Sequence, residues 1–133
     1  MPTDIQRLHA LALLHYPSLA ALSAALGRHR HWAARRISDT AGAHVELTVA
    51  EQAEILALLG EPASRLDAAS GPILADGDAD LLDYLGAHRR RSAALQRTTA
   101  GALDRLELQG LIRGEADTMI ITAAGLRVLA ALR

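Results

Sequence analysis

A chain of 133 residues, half of them apolar, is long enough for one domain or two very small ones. Its lack of cysteine excludes a disulfide framework, a thiol nucleophile and a thiolate metal site. The formal net charge of −1 hides a patchy distribution: all 14 cations are arginines, half of them gathered at 28–36 and 89–91, while the acids gather between Glu46 and Asp83.

Phenylalanine is absent and the aromatics are Trp32, Tyr16 and Tyr84, so the core must come from Leu, Ala, Ile and Val, which suits closely packed helices. Apolar runs are short and broken by charge, which argues against a membrane span. The N-terminal residues lack the pattern of a secretion signal, so a cytoplasmic, nucleoid-associated location is expected.

Residues 3–15 predict a first helix, with Thr3 or Asp4 as cap and Ile5, Leu8, Leu11 and Ala12 as its apolar stripe. Pro17 closes it and Ser18 can cap the next. In Ser18–Ser38, Leu19, Leu22 and Leu26 recur at helical spacing before Gly27, where a helix can stop. The following helical pattern carries Arg28, His29, Arg30, His31, Arg35 and Arg36 and not one acid. Ala33 and Ile37 can pack back onto the preceding helix, leaving His31, Ala34, Arg35 and Ser38 on an open face. A braced helix with a basic, small-residue face suits the major groove of double-stranded DNA.

A loop is expected near Asp39–Gly42. Thr48 and Glu51 then have capping-box spacing, and Val49, Ala53, Leu56 and Leu59 are expected to form the buried face of a helix stopped by Gly60. Residues 1–60 thus predict a helical domain and 61–79, rich in Pro, small residues and acids, a linker with a helical turn near Arg65–Ala69. In 80–133, Asp78 or Asp80 can cap a helix with Leu81, Leu82 and Leu85 inward, interrupted at Gly86. After Arg89-Arg90-Arg91 come Ser92–Leu95, a break at Gln96–Thr98, and a helix with Ala102, Leu103 and Leu106 inward and Gly110 as its stop. Leu111-Ile112-Arg113, a Gly-Glu-Ala-Asp turn and Met119-Ile120-Ile121 predict a hairpin; Thr122 then caps a last helix with Leu126, Leu129 and Ala130 inward. The fold class expected is mainly α: an N-terminal helix-turn-helix bundle joined to a C-terminal winged helix with a short β-hairpin.

The run LAALSAALGRHRHWAARRIS, followed after a short loop by LTVAEQAEILALLG, resembles the helix-turn-helix of lambda-repressor-like phage repressors, over roughly residues 3–60. Within that superfamily it is most similar to actinobacteriophage immunity repressors, which carry a Trp followed by two basic residues in the recognition helix, here Trp32, Arg35 and Arg36. Arg28 departs from the apolar residue common after the glycine, and Ala33 is smaller than the usual Val or Ile. The run LDRLELQGLIRGEADTMIITAAGLRVLAAL resembles the recognition helix, wing and closing helix of bacterial winged-helix regulators. The resemblance implies two modules that read one asymmetric operator together, and so a monomeric binder. A homodimer on a palindromic operator is the other arrangement open to the chain.

On the residues, Arg30, His31 and Arg35 suit base edges, since arginine bonds guanine bidentately, and Arg28, His29 and Arg36 suit phosphates. Trp32 suits either core packing or sugar–phosphate contact. Arg89, Arg90 and Arg91 suit phosphate contact or a helix C-terminus. In the C-terminal half Arg97, Thr98 and Thr99 would meet bases, although the wing carries Glu115 and Asp117, which repel phosphate. His29 and His31 offer only two nitrogens, so no metal is expected, nor any cofactor. No nucleophile elbow, phosphate loop or paired carboxylates point to an enzyme. The function expected is a sequence-specific DNA-binding transcriptional repressor. Its alternative is a protein-interaction adaptor in which only the N-terminal module binds DNA and the winged helix dimerises or docks a partner.

Overall fold

A computed structural model describes residues 3–38, 45–87, 90–91, 101–115 and 118–132. It is mainly helical with a small antiparallel sheet. Helix α1 (Asp4–His15) starts in a full capping box: Thr3 Oγ accepts from Gln6 N while Gln6 Oε1 accepts from Thr3 N. After Pro17, Ser18 caps α2 (Leu19–Ala25) by accepting from Ala21 N, and the chain axis has turned by 77°. Gly27, at φ 71°, takes the left-handed conformation that lets its own N–H reach Ala24 O and Arg28 N–H reach Ser23 O, closing α2 with a Schellman motif. The next helix, α3 (Trp32–Ile37), is only six residues long. Arg28, His29 and Arg30 therefore lie in the turn ahead of α3 and not on a helix, a correction to the sequence expectation. The closure of α2 fixes their backbone first.

Helix α4 (Val49–Leu59) has the expected Thr48–Glu51 capping box and ends at Gly60. Its buried face differs from the expected one: Ile55, Leu56 and Leu59 go inward, whereas Val49 is 86% exposed and Ala53 is exposed. Val49 occupies the first turn, where a helix projects beyond the core it packs on. The first core joins Leu8, Leu11, Leu22, Ala33, Ile37, Ile55 and their neighbours.

Residues 61–79 form two 3-10 turns, Ala63–Leu66 and Ala68–Ser70, and then an irregular run. Leu66 and Ile73 enter the first core, while Leu74 packs against the second. Buried Arg7 of α1 binds this segment: Nε and Nη2 donate to Arg65 O at 3.1 and 2.8 Å, and Nη2 also to Gly71 O at 2.9 Å and Ser70 Oγ at 3.0 Å. Desolvation, then the neighbouring Arg65, holds its pKa below the ordinary arginine value.

Helix α5 (Asp78–Ala87) begins two residues before Asp80 and runs through Gly86 without the expected interruption. Strand β1 (Arg90–Arg91) was not expected. Helix α6 (residues 101–108) precedes strands β2 (Ile112–Glu115) and β3 (Thr118–Ile121), and helix α7 (Ala123–Leu132) closes the chain. The sheet order is β1-β3-β2, with Arg90 opposite Met119, and Ile112 opposite Ile121. Glu115 pairs with Thr118, so Gly114 and Glu115 belong to β2 rather than to a four-residue turn.

The second core joins Leu81, Leu82 and Leu85 of α5 to Leu103 and Leu106 of α6, Ile112, Met119 and Leu129. On α7, Leu129 is buried as expected, but Leu126 is 50% exposed and Ala130 exposed; Gly125 is the residue that faces inward. A Cβ at Gly125 would collide with the Leu111 carbonyl and lie 2.7 Å from Ile121 Cγ1. The helix approaches the hairpin on its glycine side, which rotates Leu126 out. Thr122 is its cap, accepting from Gly125 N at 3.1 Å while donating to Gly110 O at 2.6 Å. Among the described residues no single helix is long and apolar enough to cross a membrane.

Candidate nucleic-acid interface

A cluster of exposed basic residues is presented by the α2–α3 corner, and one buried serine holds that corner. Ser23 Oγ, fully buried, donates to Leu19 O at 2.9 Å within α2 and accepts from Ala33 N at 3.0 Å at the start of α3. His31, at the N-cap of α3, makes no side-chain capping bond, so α2 supplies the acceptor that α3 does not supply for itself. With Ala33 and Ile37 buried beneath it, α3 has a fixed angle to α2.

Trp32 is 9% exposed and belongs to the first core. Two guanidinium groups lie over its ring, Arg28 at 5.2 Å and Arg36 at 4.5 Å from the centroid. Each is also paired with an acid of α4: Arg28 Nη2 with Glu54 Oε2 at 3.2 Å, and Arg36 Nε with Glu51 Oε2 at 2.9 Å. Arg36 Nη1 further donates to Trp32 O at 3.2 Å. The two arginines assigned to phosphates by sequence thus fasten α3 and the turn ahead of it to α4. Glu51 and Glu54 were not singled out as their counterions. Their spacing of three residues on the helix that follows the basic run was the available signal.

His29, Arg30, His31 and Arg35 are exposed. No carboxylate of the described residues pairs with Arg30 or Arg35. Arg30 Nε donates to His31 Nε2 at 3.1 Å, and the His29 and His31 rings lie 5.3 Å apart. A ring nitrogen that accepts from a guanidinium belongs to a neutral imidazole. Consistently, partial desolvation, followed by the charges of Arg30, His29 and Arg35, pushes the His31 pKa below the ordinary histidine value. Arg35 stands one turn after His31, and Ala34 and Ser38, both half-buried, complete the open face. This surface offers forked donors beside a neutral imidazole that can donate and accept, on a helix short enough to bring the turn and the helix face together.

Of the C-terminal candidates, Arg90 and Arg91 form β1. Arg89, Arg97, Thr98 and Thr99 lie outside the described residues. On α6 the exposed residues include Asp104 and Glu107, while Arg105 is buried. At the end of the hairpin, Arg113 pairs with Glu115 at 3.3 Å. Among the described residues no three His, Cys, Asp or Glu side chains gather into a metal-holding group. No family, curated protein or solved structure matches the chain.

Proposed function

We propose that this protein is a sequence-specific double-stranded-DNA-binding transcriptional repressor, with α2, the Gly27 turn and α3 acting as a helix-turn-helix. The observation that carries this function is the exposed His29–Arg30–His31–Arg35 surface, whose two arginines have no acid partner among the described residues, on a helix and its leading turn braced by Ser23. Arg30 and Arg35 supply bidentate donors to guanine edges, His31 a further polar contact, and His29 a phosphate contact. Arg28 and Arg36 hold the reading helix to α4. Repression is steric: an occupied operator excludes polymerase. The sequence resemblance adds a phage immunity role and a C-terminal winged helix to the same proposal.

A second function, an adaptor whose C-terminal half docks protein, is favoured by the acidic exposed side of α6 and by Leu126 and Leu132, each 50% exposed on α7. Selection of bound duplexes from a random DNA pool separates the two. A long asymmetric site bound by one copy supports reading by both halves, and a short or palindromic one assigns reading to α3 alone. No enriched sequence, or an Arg35→Glu variant that binds as well as wild type, overturns the DNA-binding function.

A further inference from the structure

Helix α6 turns opposite sides to the core and to solvent, and a set of buried polar bonds decides which side is which. Arg105, 6% exposed, donates through Nε and Nη2 to the Asp78 carboxylate at 3.0 and 2.8 Å and through Nη1 to Leu13 O of α1 at 3.2 Å. Gln109, one turn later, accepts from Ile73 N at 2.6 Å and donates to Ile73 O at 2.7 Å and Arg105 O at 3.0 Å. These bonds leave α6 no freedom to rotate about its axis. They take its only described cation inward and turn Asp104 and Glu107, three residues apart, outward together.

Asp104 and Glu107 line one wall of a cleft of about 500 Å³ whose other wall includes Leu13, Ser18, Leu19 and Ser38. No arginine is among its lining residues. Ser38 lies one turn beyond Arg35 on the open face of α3, and Ser18 and Leu19 begin α2. The acidic wall therefore borders the C-terminal end of the basic surface.

The geometry points to Asp104 and Glu107 as specificity-determining residues, an acidic rim that limits how a duplex seated on α3 can extend toward the C-terminal half. This inference rests on DNA binding by α3. B-DNA carries one phosphate per ~1.7 Å of axis, so almost any displacement along α3 toward the rim brings phosphates near it. Carboxylates act over about a Debye length, roughly 10 Å at 0.1 M salt. The rim penalises docking poses that tilt the duplex backbone to within that range and leaves untouched the pose that keeps the backbone clear. Non-specific binding is weakened more than operator binding.

The test is the full-length Asp104→Asn/Glu107→Gln variant. Its affinity for the selected duplex and for a scrambled duplex is measured by fluorescence anisotropy from low to physiological salt. The scrambled duplex is expected to bind about three- to tenfold more tightly at low salt, with a smaller gain on the selected duplex and a gain that fades as salt rises. A control, Asp76→Asn/Asp80→Asn, removes two exposed charges that do not line the cleft and is expected to change neither affinity appreciably. Unchanged scrambled-duplex binding in the rim variant, or an equal gain in the control, overturns the rim and leaves DNA reading by α3 standing. Wild-type protein that binds neither duplex overturns DNA reading itself, and the rim with it.

Discussion

Ser23 ties α3 to its support through one hydroxyl. Ser23→Ala removes the acceptor of the Ala33 N–H in a place water does not reach, and a buried unsatisfied donor costs about 1–3 kcal/mol. Urea denaturation should show that loss, and DNA affinity should fall further than the fraction unfolded explains, because α3 loses its angle. Glu51 carries a pH signature. The Thr48 backbone N–H, aided by the Thr48 hydroxyl and the Arg36 guanidinium, holds its carboxyl below the ordinary glutamate value. A depressed carboxylate stabilises the fold above its unfolded pKa and loses that contribution as pH falls through the folded value. The melting temperature of wild type should exceed that of Glu51→Gln at pH 7, and the gap should close on acidification. A constant gap would mean that Glu51 acts by packing. His31 works in the other direction. It is held neutral in the free protein, and nearby phosphates favour its imidazolium, so DNA affinity should rise more steeply as pH falls below neutrality in wild type than in His31→Gln, where His29 alone remains.

Among the elements, α7 depends on a missing side chain. Gly125→Ala places a methyl group against the Leu111 carbonyl and Ile121, and neither is the far end of a flexible chain. The helix must move off the hairpin, a strain of about 1–3 kcal/mol visible in the denaturation midpoint. This contact also explains where sequence reading stopped. Capping signals at Thr3, Ser18, Thr48 and Thr122 and the glycine stops at Gly27, Gly60 and Gly110 are local chemistry, and each was legible from a few neighbouring residues. The inward faces of α4 and α7 were legible only in part: Leu56, Leu59 and Leu129 were, but hydrophobicity alone cannot rank Val49 below Ile55 or Leu126 below Gly125. Both are decided by partners distant in sequence. The two-residue β1 escaped for the same reason, since its pairing partners Thr118 and Met119 lie far downstream. At the candidate interface the exposed cations could be picked out, but the pairing of Arg28 and Arg36 with Glu54 and Glu51 required the fold.

Across the whole molecule, the two cores are joined by polar bonds where a flexible connection would have left them independent. Arg7 fastens residues 65–71 to α1, and Arg105 joins Asp78 of the C-terminal half to Leu13 of the N-terminal half. Arg105→Met strands the buried Asp78 carboxylate and should cost about 3–5 kcal/mol, whereas Asp78→Leu/Arg105→Met should recover much of that loss. A double variant no better than the single would show that the pair supplies more than mutual neutralisation. Wild-type thermal unfolding followed by Trp32 fluorescence, which reports the first core, and by far-ultraviolet circular dichroism, which reports both, should superimpose. Separate transitions would count against coupling of the cores.

Ile73 and Leu74 are consecutive, yet one enters the first core and the other packs on the second, while Gln109 grips the backbone of Ile73 by both its N–H and its carbonyl. The length of this crossing is therefore fixed. Deleting Pro72, the one residue between Gly71 and Ile73, would pull both apolar side chains away from their cores and offer Gln109 the wrong peptide group. An inserted residue would do the same, so this segment should accept changes of side chain far more readily than changes of length, a constraint on its history that no single substitution would reveal.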